Sequence, residues 1–181
     1  MGKSILFFFS VLSLVFFVMP AKTYPVLTPR PDFIRPSETS FIAYVLRKHN
    51  VKDPFALARL IVKNARKYNL SPFLIYAVIK TETHFKYNAV SDTDARGYMQ
   101  VEPATAVIVV GSSDSLFSPA RNIAIGTEYL AGLIRYFGDV NRALSAYNYG
   151  PTRVILCGIT KTYYSKKIIR EEKKLKKIFE N

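Results

Sequence analysis

The sequence predicts an all-α fold, and three observations carry that expectation. Asp53-Pro54 and Ser71-Pro72 each place a helix-capping residue before a proline at the first helical position. Apolar residues recur at helical spacing from about residue 53 onward. No segment alternates convincingly enough to build a sheet, and no internal repeat is visible. With 181 residues, 49% of them hydrophobic, the chain can bury a core, which excludes a disordered protein and fits one domain with short appendages.

The N-terminal end differs in kind. Lys3 precedes an apolar run from Ile5 to Met19, broken only by Ser10 and Ser13. As a helix that run spans about 22 Å, against a bilayer core of about 30 Å. With Pro20-Ala21 behind it, residues 1–21 read as a signal peptide; because Met19 suits a cleavage site poorly, an uncleaved N-terminal anchor is the alternative. The absence of a nearby cysteine argues against a lipid-anchored lipoprotein. Residues 22–37 hold four prolines and no period, so they read as a linker, and 38–181 as the folded domain.

Within the domain, Ser40 is expected to cap a short helix through Lys48. The helix after Asp53 should bury Phe55, Ala58, Ile61, Val62, Ala65 and Tyr68, with Lys63, Arg66 and Lys67 in water. The next helix, from Pro72, is apolar nearly all round between Phe73 and Lys80, which makes it central. Residues 83–100 read as loop. At 103–110 a helical start competes with the strand propensity of Val107-Ile108-Val109-Val110. Residues 111–114 are loop, and Pro119 to Phe137 is helical with Ile123, Leu130, Leu133, Ile134 and Phe137 inward. Gly138 ends it and Asp139 caps the next helix. Asn148-Tyr149-Gly150-Pro151 reads as a turn, and a basic amphipathic helix runs from about Tyr163, with Glu172 and Lys176 as a supporting pair.

The formal net charge is +13, concentrated toward the end in Lys166-Lys167 and Lys173 to Lys177. No recognition-helix or basic-aromatic pattern accompanies it, so nucleic acid is not an expected partner and the basic face reads as solvated. The single cysteine, Cys157, can form no internal disulfide and is expected to be buried and inert. His49 and His84 lie far apart with no Cys/His spacing around them, so no metal or other cofactor is expected.

Glu82 is the leading candidate for chemistry. It closes the most apolar helix, where burial and the negative end of the helix dipole both favour a neutral carboxyl. A carboxyl held protonated near neutral pH can act as a general acid. On position alone a solvated helix-end glutamate remains the default. Residues C-terminal to Glu82 shift that balance: Phe85, Ala89, Ser91, Ala95, Gly97-Tyr98-Met99-Gln100, Pro103, Thr105-Ala106, Asn122-Ile123, Tyr129-Leu130 and Ala146-Tyr147-Asn148-Tyr149-Gly150. This ordered set, over about residues 70–170, resembles the soluble lytic transglycosylase family, whose catalytic domain is lysozyme-like.

The resemblance implies a lysozyme-like helical domain with a substrate groove, an enzyme without a cofactor, and Glu82 as its single acid/base. Glu82 would protonate the glycosidic oxygen between N-acetylmuramic acid and N-acetylglucosamine in peptidoglycan strands. It would then accept the proton of the muramic acid 6-hydroxyl, giving a 1,6-anhydro sugar. The substrate's acetamido group stands in for the second carboxylate that most glycosidases need. Tyr147 is implied as the tyrosine that holds Glu82. Ser91 and Gln100 are implied as partners of the sugar acetamido group and hydroxyls, and Met99, Glu102 and Asn148 complete the substrate-binding candidates. Read without the resemblance, Tyr147 is equally a core aromatic, Ser91 and Asn148 turn residues, Gln100 a cap contact, Met99 a wall and Asn122 a structural hydrogen-bonder.

Several positions depart from the family pattern. Thr83 replaces a serine, Asp94 a glycine, Glu102 an apolar residue that is often methionine, and Ile159-Thr160 stands where a Glu-Thr pair contributes to the groove. A carboxylate at 102 can act on Glu82 or contact the peptide stem. The competing readings are a lysozyme-type hydrolase in which Asp92 or Asp94 positions water, and a non-catalytic wall-binding module. An export signal places the protein in the bacterial periplasm or cell envelope, with membrane association possible through the N-terminal segment. The small size suggests a local task such as opening the wall for a secretion or conjugation apparatus.

Overall fold

Proline-led helices account for most of the architecture in the computed structural model, which describes residues 36–181. The expected signal peptide and all of the linker except residues 36 and 37 lie outside the described residues. Eight α-helices make up the described chain: α1 Glu38–Leu46, α2 Pro54–Lys67, α3 Pro72–Thr83, α4 Pro103–Val110, α5 Pro119–Phe137, α6 Val140–Tyr149, α7 Pro151–Leu156 and α8 Tyr163–Glu180. Five of the eight, α2 to α5 and α7, begin with proline at the first turn, where its missing N–H costs nothing.

The caps agree with the sequence in part. Asp53 accepts from the Ala56 amide at 2.9 Å and Asp139 from the Arg142 amide at 2.7 Å, as expected. At α1 the cap is Ser37 rather than Ser40: the Ser37 hydroxyl accepts from the Ser40 amide at 3.1 Å, and the helix yields at Leu46 to a 3-10 turn, Arg47–His49. Thr162 and Ser165 exchange side-chain to backbone bonds at the start of α8.

The helix α3 is the centre of the fold. Phe73 to Ile79 are all buried, and the helix packs on α8, α2 and α1. On α2 the buried stripe is Leu57, Ala58, Ile61, Val62, Asn64 and Ala65. Phe55, expected inside, is 48% exposed and lies under Arg59; Leu57, one turn before Ile61, takes the inward place. The segment Val107 to Val110 is helical, because strand propensity gains nothing without a neighbouring strand. Gly111 ends that helix at φ 75°. Among the described residues, β-pairing is limited to isolated bridges from Arg96 to Val90 and Val101.

Two further expectations change. Asn148 and Tyr149 complete α6 instead of forming a turn; Gly150, at φ 82°, makes the corner alone and Pro151 opens α7. Cys157 is exposed, not buried, since the short α7 turns only Val154 inward. Among the described residues no helix is long and apolar enough to cross a membrane.

Candidate active site

Glu82 lies in the last turn of α3 and is half-buried. The chain leaves that helix through two successive left-handed residues, His84 (φ 49°) and Phe85 (φ 67°). Non-glycine residues adopt this region at a cost. Here the packing of Phe85 offsets it: the ring is buried, with centroids 5.0 Å from Tyr76 and 4.8 Å from His49. Thr83, where the family pattern has serine, keeps a hydroxyl within 3.2 Å of both the Ile79 and the Tyr98 carbonyls. That contact ties the end of α3 to the Gly97–Gln100 turn.

Asn122 fixes the same turn from α5. Its Oδ1 accepts from the Met99 amide at 2.8 Å, and its Nδ2 donates to the Arg96 and Leu116 carbonyls at 2.7 and 2.9 Å. Gly97 is at φ 72°, and a Cβ there would lie 2.5 Å from Asn122 Nδ2, so glycine is required by both conformation and space.

The partner of the Glu82 carboxylate is Tyr164, from α8, whose hydroxyl donates to Glu82 Oε1. Burial pushes the Glu82 carboxyl above its ordinary value; the Tyr164 hydrogen bond and the Lys167 ammonium pull the other way without reversing it. Tyr164 itself is pushed well up, by burial first and then by the Glu82 charge, so its phenol keeps its proton. Beside this pair Lys80 and Glu171 form a 2.7 Å ion pair between α3 and α8.

Tyr147, expected to hold Glu82, instead donates to the Met99 carbonyl at 2.8 Å. Gly126, without a side chain, lets the Met99 side chain and the Tyr147 hydroxyl lie together. A Cβ on Gly126 would come within 2.8 Å of the Met99 side chain and 3.1 Å of the Tyr147 hydroxyl. Tyr147 still feels the Glu82 charge, which together with burial and Tyr129 pushes its phenol well up. Its hydroxyl thus holds the Gly97–Gln100 turn within reach of the Glu82 charge.

The substrate-binding candidates separate. Met99 is wholly buried and receives the Thr127 hydroxyl at its Sδ, 3.7 Å away, so its side chain is wall and not ligand contact. The Ser91 hydroxyl accepts from the Ala95 and Thr93 amides at 3.0 and 3.3 Å, spending itself on a turn. Gln100, at φ 48°, donates to the Gly97 carbonyl at 3.0 Å and to Ala89 at 3.3 Å. Gln100, Glu102 and Asn148 do come together: with Val101, Thr105, Tyr129, Tyr147, Tyr149 and Gly150 they line a cavity of about 270 Å³. Glu102 is exposed there and does not act on Glu82; its charge instead helps burial push Tyr129 up to about 12.

Sequence reasoning missed Tyr164 and Lys167 because α8 looks like a solvated basic helix. The usable signal was the inward register: Ile168 and Leu175 are buried, and Tyr164, Lys167 and Glu171 fall beside them at spacings of three and four. Among the described residues no group of three metal-capable side chains converges.

Residues 59–169 match the family model described as the Transglycosylase SLT domain. The Transglycosylase of Enterobacteria phage PRD1 is 35% identical over 100 residues, 55% of this chain and 37% of the phage protein. Membrane-bound lytic murein transglycosylase C of Yersinia enterocolitica is 40% identical over 96 residues, 48% of this chain and 27% of that protein. Among solved structures, the 70 kDa soluble lytic transglycosylase of Escherichia coli aligns with a TM-score of 0.60 at 21% identity, over 78% of this chain and 30% of that one. Lytic transglycosylase Slt of Pseudomonas aeruginosa, as an inactive glutamate-to-glutamine mutant, aligns at 0.53 and 25% identity, over 77% of this chain and 25% of that one. The matched part is thus well under half of each relative. A lysozyme-like helical fold, the ordered motifs and the match over residues 59–169 lead to one conclusion: the chain belongs to the transglycosylase SLT domain family.

Proposed function

We propose that this protein is a peptidoglycan lytic transglycosylase that cleaves the β-1,4 bond between N-acetylmuramic acid and N-acetylglucosamine and leaves a 1,6-anhydro end. The observation that carries the reading is Glu82: a half-buried carboxyl whose proton is held more tightly than usual, with a neutral tyrosine donating to it. Glu82 gives its proton to the departing 4-oxygen of N-acetylglucosamine as the bond to the muramic C1 breaks. The acetamido oxygen of the substrate supports the positive charge at C1. The 6-hydroxyl oxygen then bonds to C1 and its proton returns to Glu82, so no water is consumed and the acid is regenerated. Tyr164 keeps the carboxylate aimed through both transfers, and Tyr147 keeps the wall behind it in place.

A hydrolytic mechanism would enlist Asp92 or Asp94. Asp94 is held by Arg96 in two 2.8 Å bonds, Asp92 is exposed, and neither is among the groups that act on Glu82. The names of the relatives, a transglycosylase and a membrane-bound lytic murein transglycosylase, support the same reading and an action at the bacterial cell envelope. Periplasmic export through residues 1–21, and service to a secretion or conjugation apparatus, are part of the proposal.

The test is mass spectrometry of peptidoglycan digested by the full chain and by Glu82→Gln. Anhydro-muropeptides are expected from the first and none from the second, a loss of at least about a thousandfold. Reducing ends alone would establish a hydrolase, and release of nothing by the wild-type protein would leave a wall-binding module.

A further inference from the structure

We propose that the cavity beside Tyr147 is a subsite for a primary ammonium group carried by the glycan substrate, with Glu102 as its carboxylate partner. The inference rests on the proposed action on peptidoglycan and adds which substrates are preferred. Three tyrosines line this cavity, Tyr129, Tyr147 and Tyr149, and Glu102 is the one charged residue in the lining of a chain that carries a net charge of +13. Tyrosines and one carboxylate lining the same cavity form a setting that can select cations: a ring face attracts positive charge through its quadrupole and the carboxylate accepts the ammonium's hydrogen bonds.

The simpler role for Glu102 is to cap α4. Its backbone does sit at the N-cap position, at φ −71° and ψ 143°, but its side chain makes no capping bond. Among the described residues it has no ion-pair partner either. Tyr129 does not neutralise it, since a phenol carries no positive charge in either protonation state. A ligand that covers Glu102 must therefore replace the water around a full negative charge, which is costly unless the ligand brings positive charge. Sugar hydroxyls can donate to a carboxylate, but they compensate the charge less and give no preference for an amine.

The cavity, at about 270 Å³, has room for about one sugar ring or the end of one side chain. Peptidoglycan offers a primary ammonium from two sources of that size: a glucosamine that lacks its acetyl group, and the free amine of a diamino acid in the stem peptide. Both present the same chemistry to Glu102.

The experiment uses four preparations of glycan strands: stem-free and fully N-acetylated, stem-free and partly N-deacetylated, stem-bearing with a free diamino-acid amine, and stem-bearing with that amine acetylated. For each, kcat/KM for release of soluble product is compared between the wild-type chain and Glu102→Gln. In the wild type at least one amine-bearing preparation is expected to exceed its amine-blocked counterpart by about fivefold. In Glu102→Gln that ratio falls to about one, mainly through KM, and the arm that responds names the source of the amine. Glu102→Met should do the same, which separates loss of charge from loss of a particular shape. Equal ratios in wild type and both variants would overturn the proposal. If the wild type cleaves none of the strands, the function above fails, and the subsite is then judged by binding of the same four preparations. Tighter binding of an amine-bearing preparation that disappears in Glu102→Gln sustains it, and indifferent binding ends it.

Discussion

Glu82 and Glu102 are the same residue type in one small domain, and their surroundings make them different groups. Glu82 lies in the last turn of a helix with eight consecutive buried residues, Pro72 to Ile79, and takes a hydrogen bond from a phenol on another helix. Glu102 starts an eight-residue helix in which only Ala106 is buried, and it faces a cavity. The first is held in a place where its proton is easier to keep, yet a tyrosine and a lysine restrain that rise. Opposed influences of this kind suit a group that must donate and then accept a proton, because both directions are efficient only when the pKa stays near the working pH. The second is exposed and lines an open cavity, where charge can serve the recognition proposed above. Environment, more than residue type, assigns the roles.

Short of replacing Glu82 itself, the largest effect is expected from removing the Tyr164 hydroxyl, which widens the contrast in proton affinity. In Tyr164→Phe the carboxyl of Glu82 loses the donor that lowers its pKa and the contact that fixes its direction. A drop in kcat of about a hundredfold is expected from misplacement of the acid. The general acid must be protonated, so activity falls as pH rises through the Glu82 pKa, and in this variant that alkaline limb should move to higher pH. Lys167→Met should move it the same way, since the ammonium also favours the charged form. A pH–rate profile of kcat/KM measures both. A fall in rate with the limb unmoved would assign Tyr164 to scaffolding alone.

The wall behind Glu82 can be disturbed without touching either glutamate. Gly126→Ala puts a Cβ within 2.8 Å of Met99 and 3.1 Å of the Tyr147 hydroxyl, which strains the Tyr147 bond to the Met99 carbonyl. Overpacking of this sort costs about 1–3 kcal/mol, read as a lower Tm in thermal melts. Activity should fall too, because Tyr147 and the Gly97–Gln100 turn move together. A variant of unchanged Tm would show that the Met99 side chain yields freely.

The sequence made the helices legible and the site only half so. Proline-led starts and apolar spacing are local signals, and α2, α3 and α5 follow them to within a residue or two. Glu82 was legible only in part from its place at the end of an apolar helix; the ordered residues from Phe85 to Gly150 raised it to a candidate. Its partner was not legible. Tyr164 is 82 positions away, on a helix whose composition reads as a solvated basic face, and nothing local says that its first turn docks on the end of α3. Tyr147 feels the Glu82 charge, but its hydroxyl bonds the Met99 carbonyl, a choice of acceptor that no local pattern reveals. Phe55 and Cys157 show the same limit: at the first turn of α2 Leu57 is buried where Phe55 was expected, and a helix of only six residues leaves Cys157 outside.

A smaller effect tests the electrostatics of Glu82 without any substrate. Its folded pKa lies above the ordinary 4.5, so the native state binds the proton more tightly than the unfolded chain does. By linkage, stability falls as pH rises from about 4.5 through the raised value and then levels off, because above that range a buried charge must be maintained. Glu82→Gln keeps a carbonyl to accept from Tyr164 and carries no charge. It should therefore melt higher than wild type at pH 7, with the gap closing as pH falls toward 4.5. Glu102→Gln, an exposed position, should show a difference within about 0.5 kcal/mol at any pH. Were Glu82→Gln to lose stability at pH 7, the Tyr164 bond to a charged carboxylate would outweigh the burial of that charge. The contrast between the two glutamates would then rest on geometry instead of on proton affinity.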